Sequence, residues 1–161
     1  MSDGPGTVEV KPGDKAPDFQ LPTAGGGHVR LSDLRGKAVV LFFYPKDDTA
    51  ACTQEALSFT EKAAEFAKAD AFVIGVSRDS VRSHDKFAAK HGLTITLASD
   101  EDGAVCGQYG VWVEKSMYGR KYMGIERSTF LIDRKGKVVN TWRKVKVAGH
   151  ADEVLAAAKV I

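Results

Sequence analysis

Cysteine is scarce in this sequence, with Cys52 and Cys106 the two in 161 residues. They are too far apart for the Cys-x-x-Cys pair of a dithiol oxidoreductase, and the residue three after Cys52 is Glu55. A domain of this size in a reducing compartment has little need of a disulfide, which leaves either a reactive thiol or two inert buried ones. An excess of one charge is missing as well. Lys+Arg 23 against Asp+Glu 21 leaves +2, far from the concentrated basic surface of a nucleic-acid binder. No apolar run could span a bilayer, and Met1 to Gly13 lacks the basic start, apolar stretch and cleavage site of a signal peptide. The expectation is a cytoplasmic protein that binds neither membrane nor nucleic acid. His28, His84, His91 and His150 are scattered without a ligand-spaced Cys or carboxylate cluster, so they read as surface residues and no metal is expected. Gly25-Gly26-Gly27 lacks the Lys-Ser/Thr and following helix of a phosphate loop and reads as a turn, so no cofactor is expected either.

What is present is an ordinary globular composition, 43% hydrophobic and 27% charged, enough for one core in one domain. Residues 1–12 read as a flexible Gly/Pro-rich tail and 13–161 as the domain. A short strand is expected around Asp18 to Leu21. Ala38 to Tyr44 is a continuous apolar run, the pattern of a strand buried on both faces. Apolar positions at Cys52, Ala56, Phe59, Ala63 and Phe66 then recur at helical spacing to about Lys68, with Thr49 as N-cap. A second buried strand, Ala71 to Ser77, precedes an Asp79-capped helix that runs to about Lys90 and ends at Gly92. A shorter cycle follows, with a strand near Ile95 to Ala98 and a helix from about Asp102. Arg127 to Asp133 and Lys137 to Trp142 flank Arg134-Lys-Gly136 as a hairpin, and Arg143 to Lys146 alternates like a solvated strand. A helix from His150 to Val160 closes the chain. The architecture expected is α/β, a central mixed sheet flanked by helices on both faces.

Cys52 falls in the first turn of a helix that follows a buried strand, at the sheet edge where α/β folds place ligands. Unpaired amides and the helix dipole there favour thiolate over thiol, and the thiolate is the nucleophile. With Thr49 as cap, the Cys52 N–H is expected to donate to the threonine oxygen. Pro45 would shape the loop and shield one side, and an arginine would complete a site for a polarised oxygen–oxygen bond.

Pro45-Lys-Asp-Asp-Thr49-Ala-Ala-Cys52 resembles the peroxiredoxin pattern of Pro, three residues, Thr, two residues and Cys. Met117 to Asp133 is similar to the matching stretch of the bacterioferritin comigratory protein group, also called peroxiredoxin Q, as are Gly13 to Phe19 and Ser77 to Val81. The resemblance runs from about Gly13 to the C-terminus. It implies a thioredoxin-like fold and a thiol-dependent peroxidase acting on hydrogen peroxide and organic hydroperoxides. It also implies that Cys52 is the peroxidatic cysteine, with Pro45, Thr49 and Arg127 completing the site. Taken singly, Thr49 is a cap, Pro45 a loop breaker and Arg127 a solvated charge; their joint occurrence favours the site. Glu55, on the same side of the helix as Cys52, is placed to orient Arg127. Phe43, Trp112, Tyr118 and Tyr122 are candidates for a pocket wall, each with ordinary packing or surface cover as the plainer reading.

In this group the resolving cysteine stands five residues after the peroxidatic one, or in the next helix. Those positions here hold Leu57 and Ala88. A one-cysteine cycle is therefore expected, with the Cys52 sulfenic acid recycled by thioredoxin, glutaredoxin or a small thiol. Cys106 reads as a buried thiol, with an atypical resolving role as the alternative. A thioredoxin-fold binding or chaperone module without catalysis would leave the four residues unexplained. Members of the group are often monomeric, and a monomer is expected.

Overall fold

A computed structural model describes residues 9–161. The strands are β1 Gln20–Pro22, β2 His28–Arg30, β3 Ala38–Phe43, β4 Ala71–Ser77, β5 Thr96–Ser99, β6 Trp112–Met117, β7 Arg120–Ile125, β8 Ser128–Ile132 and β9 Val138–Trp142. The helices are α1 Ala50–Glu61, α2 Ala63–Lys68, α3 Val81–His91, α4 Ala104–Gln108 and α5 His150–Ala158. The central sheet has the order β5-β4-β3-β8-β9. β3, β4 and β5 run parallel, while β8 and β9 are antiparallel additions. This is the mixed sheet expected from the alternation of strand and helix, and the Arg134-Lys-Gly136 hairpin joins β8 to β9 as anticipated.

β3 is buried at every position, and its alternating side chains divide the interior in two. Ala38, Val40 and Phe42 face a core closed by α1, α2, α3 and α5. Val39, Leu41 and Phe43 face a second core that includes Val105 and Cys106 of α4 and residues of the β1–β2 hairpin. Phe42 stacks on Phe59 of α1 with ring centroids 4.6 Å apart, and each such buried ring contributes about 1.5–3 kcal/mol of transfer free energy. Gly75 makes room for this arrangement, because a Cβ there would lie 2.7 Å from the tip of Phe42.

Several expectations need correction. The helix after β3 is not continuous to Lys68: it breaks at Lys62, whose N–H turns back to Phe59 O, and α2 then brings Phe66 to 5.8 Å from Phe59. Ser80, not Asp79, caps α3 by accepting from the Ser83 N–H; Asp79 instead accepts from Ser77 Oγ and the Asp47 N–H. Arg143 to Lys146 lies beyond β9 and is not a strand, because Arg143 turns inward to pair with Glu126 at 2.9 Å and with Gly110 O. The β6–β7 hairpin, unanticipated, closes through Tyr118 and Gly119, both at positive φ (52° and 78°), the backbone of a two-residue turn. Most of the expected N-terminal tail, residues 1–8, lies outside the described residues, and Val10 is buried against the core.

Candidate active site

The loop from β3 to α1 carries Pro45 and Thr49, and the first turn of α1 carries Cys52. β3 fixes the start of this loop within the sheet, since the Tyr44 N–H donates to Val76 O. Cys52 is 1% exposed. Thr49 occupies the N-cap position with extended backbone, yet its hydroxyl accepts nothing from the helix; it donates to Lys46 O at 2.8 Å. The expected bond from the Cys52 N–H to the threonine oxygen is thus absent. The hydroxyl is spent inside the loop, and the first-turn amides keep their outward polarity beside the sulfur.

Arg127, directly before β8, reaches the same point from the neighbouring strand. β8 pairs with β3 in a register that sets Ser128 against Phe43, so a residue 75 positions away in sequence meets the first turn of α1. Its Nη2 donates to Cys52 Sγ at 3.3 Å and its Nη1 to Glu55 Oε1 at 2.8 Å. The Glu55 side chain is 1% exposed. Burial pushes its carboxyl up to about 7 although the guanidinium pulls the other way, and Oε2 has no partner. Arg127 is held in its charged form, since Glu55 and Cys52 outweigh its own burial. Sequence reasoning anticipated Pro45, Thr49, Cys52, Glu55 and Arg127 as one cluster; the structure brings Cys52, Glu55 and Arg127 into direct contact. Pro45 lines an adjoining groove of about 430 Å³ with Trp112 and Tyr122. Phe43 packs in the core and Tyr118 points into solvent at the hairpin tip, so neither forms a wall.

A second set of residues behind the loop escaped sequence analysis. Asp47 accepts from Tyr44 Oη at 2.7 Å and Ser83 Oγ at 2.8 Å, and its Oδ2 lies 2.7 Å from His84 Nδ1. The other His84 nitrogen lies 2.9 Å from Ala98 O. Asp48, at positive φ, pairs with Lys90 and His91 of α3. The loop is thereby tied to α3 by two adjacent aspartates. His84 is fully buried and His150 nearly so, which corrects their assignment to the surface. His150 lies beside Thr129 Oγ1 at 2.8 Å, and burial lowers it to about 4. No sequence signal marked this set, because Tyr44, Asp47 and His84 meet only when α3 packs against the loop.

A family model described as the AhpC/TSA family matches residues 12–141. The chain belongs to the AhpC/TSA family. Within this family of peroxiredoxins, it is 54% identical over 142 residues to peroxiredoxin Bcp of Xanthomonas campestris, covering 88% of this chain and 89% of that one. It is 51% identical over 148 residues to a putative peroxiredoxin bcp of Coxiella burnetii, covering 92% and 98%. A solved structure of the X. campestris bacterioferritin comigratory protein, studied for alkyl peroxide reduction, superimposes with a TM-score of 0.86 at 50% identity, covering 95% and 97%. Peroxidoxin BcpB of Mycobacterium tuberculosis gives 0.84 at 39%, covering 95% and 99%. The peroxiredoxin resemblance, the thioredoxin-like α/β fold and the thiol peroxidase class therefore hold for this chain. Among the described residues no helix is long and apolar enough to cross a membrane.

Proposed function

We propose that this peroxiredoxin reduces hydrogen peroxide and organic hydroperoxides through Cys52 and returns to the thiol with an external reductant, in a one-cysteine cycle. The observation that carries the first half is the 3.3 Å contact from Arg127 Nη2 to Cys52 Sγ, because a guanidinium there meets the negative charge that develops on the peroxide as the oxygen–oxygen bond breaks. Glu55 holds the guanidinium in register, Thr49 braces the loop through Lys46 O, and Pro45 shields the approach.

The second half rests on the two thiols belonging to opposite faces of the sheet. Cys52 packs in the core with Val40 and Phe42, Cys106 in the core with Leu41 and Phe43. A bond between them would have to pass through β3 and its neighbours. Cys106 is fully buried, and burial together with the Asp100 carboxylate raises it far above the ordinary thiol range, so it is a poor nucleophile. Leu57 and Ala88 offer no sulfur at either alternative position. Thioredoxin, glutaredoxin or a small thiol would attack the Cys52 sulfenic acid, form a mixed disulfide, and release Cys52 by exchange with a second thiol. The protein is proposed to act as a cytoplasmic monomer without cofactor.

Peroxide consumption with each reductant in turn, compared with Cys52→Ser, tests the activity; retention of turnover in that variant would overturn it. Disulfide mapping by mass spectrometry after one equivalent of peroxide tests the cycle. A stoichiometric bond from Cys52 to Cys106 would instead make Cys106 an atypical resolving cysteine.

A further inference from the structure

The exposed apolar side chains of this protein are gathered on one hairpin. Met117, Tyr118, Tyr122 and Met123, four of the five large hydrophobic residues exposed among those described, lie on β6–β7 or its turn. The hairpin forms a two-stranded sheet of its own, unpaired with the central one, and these side chains close no core. Tyr118 at the tip is 97% exposed and sits at φ 52°, where asparagine or glycine would turn the chain at lower cost. Folding gains nothing from an aromatic ring there. Exposed apolar side chains grouped within a polar rim mark a surface that another molecule covers.

The rim is cationic. Cross-strand pairing sets Met117 against Arg120 and Lys115 against Tyr122, so apolar and basic side chains share one face. Lys115, Arg120 and Lys121 of the hairpin and Lys46 of the Cys52 loop have no ion-pair partner among the described residues, and Glu114 is the one acid between Trp112 and Ile125. The whole chain carries only +2, so this concentration of unpaired cations is local, and it complements an acidic surface. The face is continuous with the reactive site. Tyr122, Met123 and Ile125 line the groove of about 430 Å³ together with Pro45 and Lys46 of the loop. β7 ends two residues before Arg127, whose Nη2 lies 3.3 Å from Cys52 Sγ. At about 3.3 Å per residue the tip stands ~23 Å beyond Ile125. That is within the roughly 30 Å breadth of a standard interface, which covers about 800 Å² on each side. A docked protein reaches both the tip and the sulfur; a small thiol cannot.

We infer that this hairpin face is the docking surface for the reductant, and that the reductant is a protein dithiol with an acidic rim around its attacking thiol. The inference rests on the one-cysteine reading of Cys52. Cys106 lies across the sheet, so every turnover needs a thiol from outside, brought to a residue that is 1% exposed. Contacts to the hairpin hold the partner while its first thiol attacks Cys52 Sγ. A sulfur–sulfur bond forms, the sulfur–oxygen bond of the sulfenic acid breaks, and the oxygen leaves as water with the proton of the attacking thiol. The partner's second thiol then attacks its own sulfur in the mixed disulfide. The partner closes its disulfide, and Cys52 leaves as the thiol with the second proton. Two electrons pass from the dithiol to Cys52. Tyr, Met and Arg, which this face presents, are the residue types enriched where proteins associate.

Measuring the two half-reactions apart separates docking from peroxide chemistry. Cys52 oxidation by hydrogen peroxide, and steady-state turnover with thioredoxin, glutaredoxin and dithiothreitol, are compared in the wild type, Tyr118→Asn and the double variant Arg120→Gln/Lys121→Gln. All three side chains are exposed, and asparagine accepts the positive φ of the tip, so the fold is retained. Tyr118→Asn is expected to raise KM for the protein reductant by about tenfold, the loss typical of an interface tyrosine. The double variant is expected to lower kcat/KM for that reductant and to flatten its dependence on salt. Peroxide oxidation and dithiothreitol turnover should stay within about twofold of wild type in both. An unchanged KM in both variants, an equal loss with dithiothreitol, or a wild type that turns over with dithiothreitol but with neither protein overturns the docking assignment. Variants that keep KM but lose sedimentation with phosphatidylglycerol vesicles, or lose an association of two copies, would give the face to a lipid surface or a second copy instead. A wild type whose Cys52 does not react with peroxide would refute the peroxidase reading itself, and the docking with it.

Discussion

One guanidinium joins the reactive sulfur to a buried acid: Arg127 lies 3.3 Å from Cys52 Sγ and 2.8 Å from Glu55 Oε1. The two contacts use different terminal nitrogens of a rigid planar fork, so the carboxylate fixes where the other nitrogen points. Lysine, a single flexible ammonium, cannot hold both partners at once. Arg127→Lys is expected to slow the reaction of Cys52 with hydrogen peroxide by about 10²-fold, the typical loss when a fixed donor is removed from developing charge. Stopped-flow rates under pseudo-first-order conditions read this directly, and a rate within a factor of three of wild type would be incompatible with it.

Glu55 gives stability a dependence on pH. Its carboxyl is raised from 4.5 to about 7 in the folded protein by burial, which Arg127 only partly offsets. A raised folded value means that the native state binds the proton more tightly than the unfolded chain. The associated stabilisation is therefore complete below about pH 4.5 and is lost as pH rises through about 7. Glu55→Gln keeps the shape without the titration. Urea denaturation between pH 5 and pH 8 is expected to show the wild type losing stability relative to Glu55→Gln by a few kcal/mol, on the order set by the shift; parallel curves would contradict the assignment.

The Asp47–His84 pair couples the active-site loop to α3. His84 and Asp47 side chains are 0% and 4% exposed, so removing the imidazole leaves a buried carboxylate with only Tyr44 and Ser83. His84→Ala is expected to cost about 1–3 kcal/mol of stability, the range for a buried group left without a hydrogen-bond partner. Because Asp47 lies in the segment between Pro45 and Thr49, the variant should also react more slowly with peroxide at temperatures where it remains folded. Chemical denaturation and peroxide kinetics on the same preparation check both; loss of stability with unchanged kinetics would show that the pair serves only the fold.

Cys106 is expected to be dispensable for turnover. Its thiol is enclosed in the core opposite Cys52, so Cys106→Ala should keep the wild-type rate with external thiols. It should lower stability by about 1–2 kcal/mol through a small cavity. Steady-state turnover with thioredoxin and a melting curve decide the point, and a large loss of turnover would return Cys106 to the catalytic cycle.

Much of this protein was legible in the order of its residues. The apolar run Ala38 to Tyr44, the helical repeat after it and the strand Ala71 to Ser77 give parallel β-α-β topology because periodicity alone separates strand from helix. Pro45, Thr49 and Cys52 could be grouped because local spacing around a helix start carries its own chemistry. What the sequence could not decide is whatever depends on distant segments meeting. The register of β8 against β3 brings Arg127 to Cys52, and packing of α3 beneath the loop buries His84 on Asp47. The Thr49 hydroxyl turned to Lys46 O instead of capping, a choice between two local bonds of similar strength that the loop's tertiary anchoring resolves. The sequence determined by itself that Cys52 would sit at the head of a helix on a sheet edge. Only the tertiary structure decided which charges surround that sulfur, and that the sheet stands between it and the other thiol, because burial and charge contact are properties of packed surfaces.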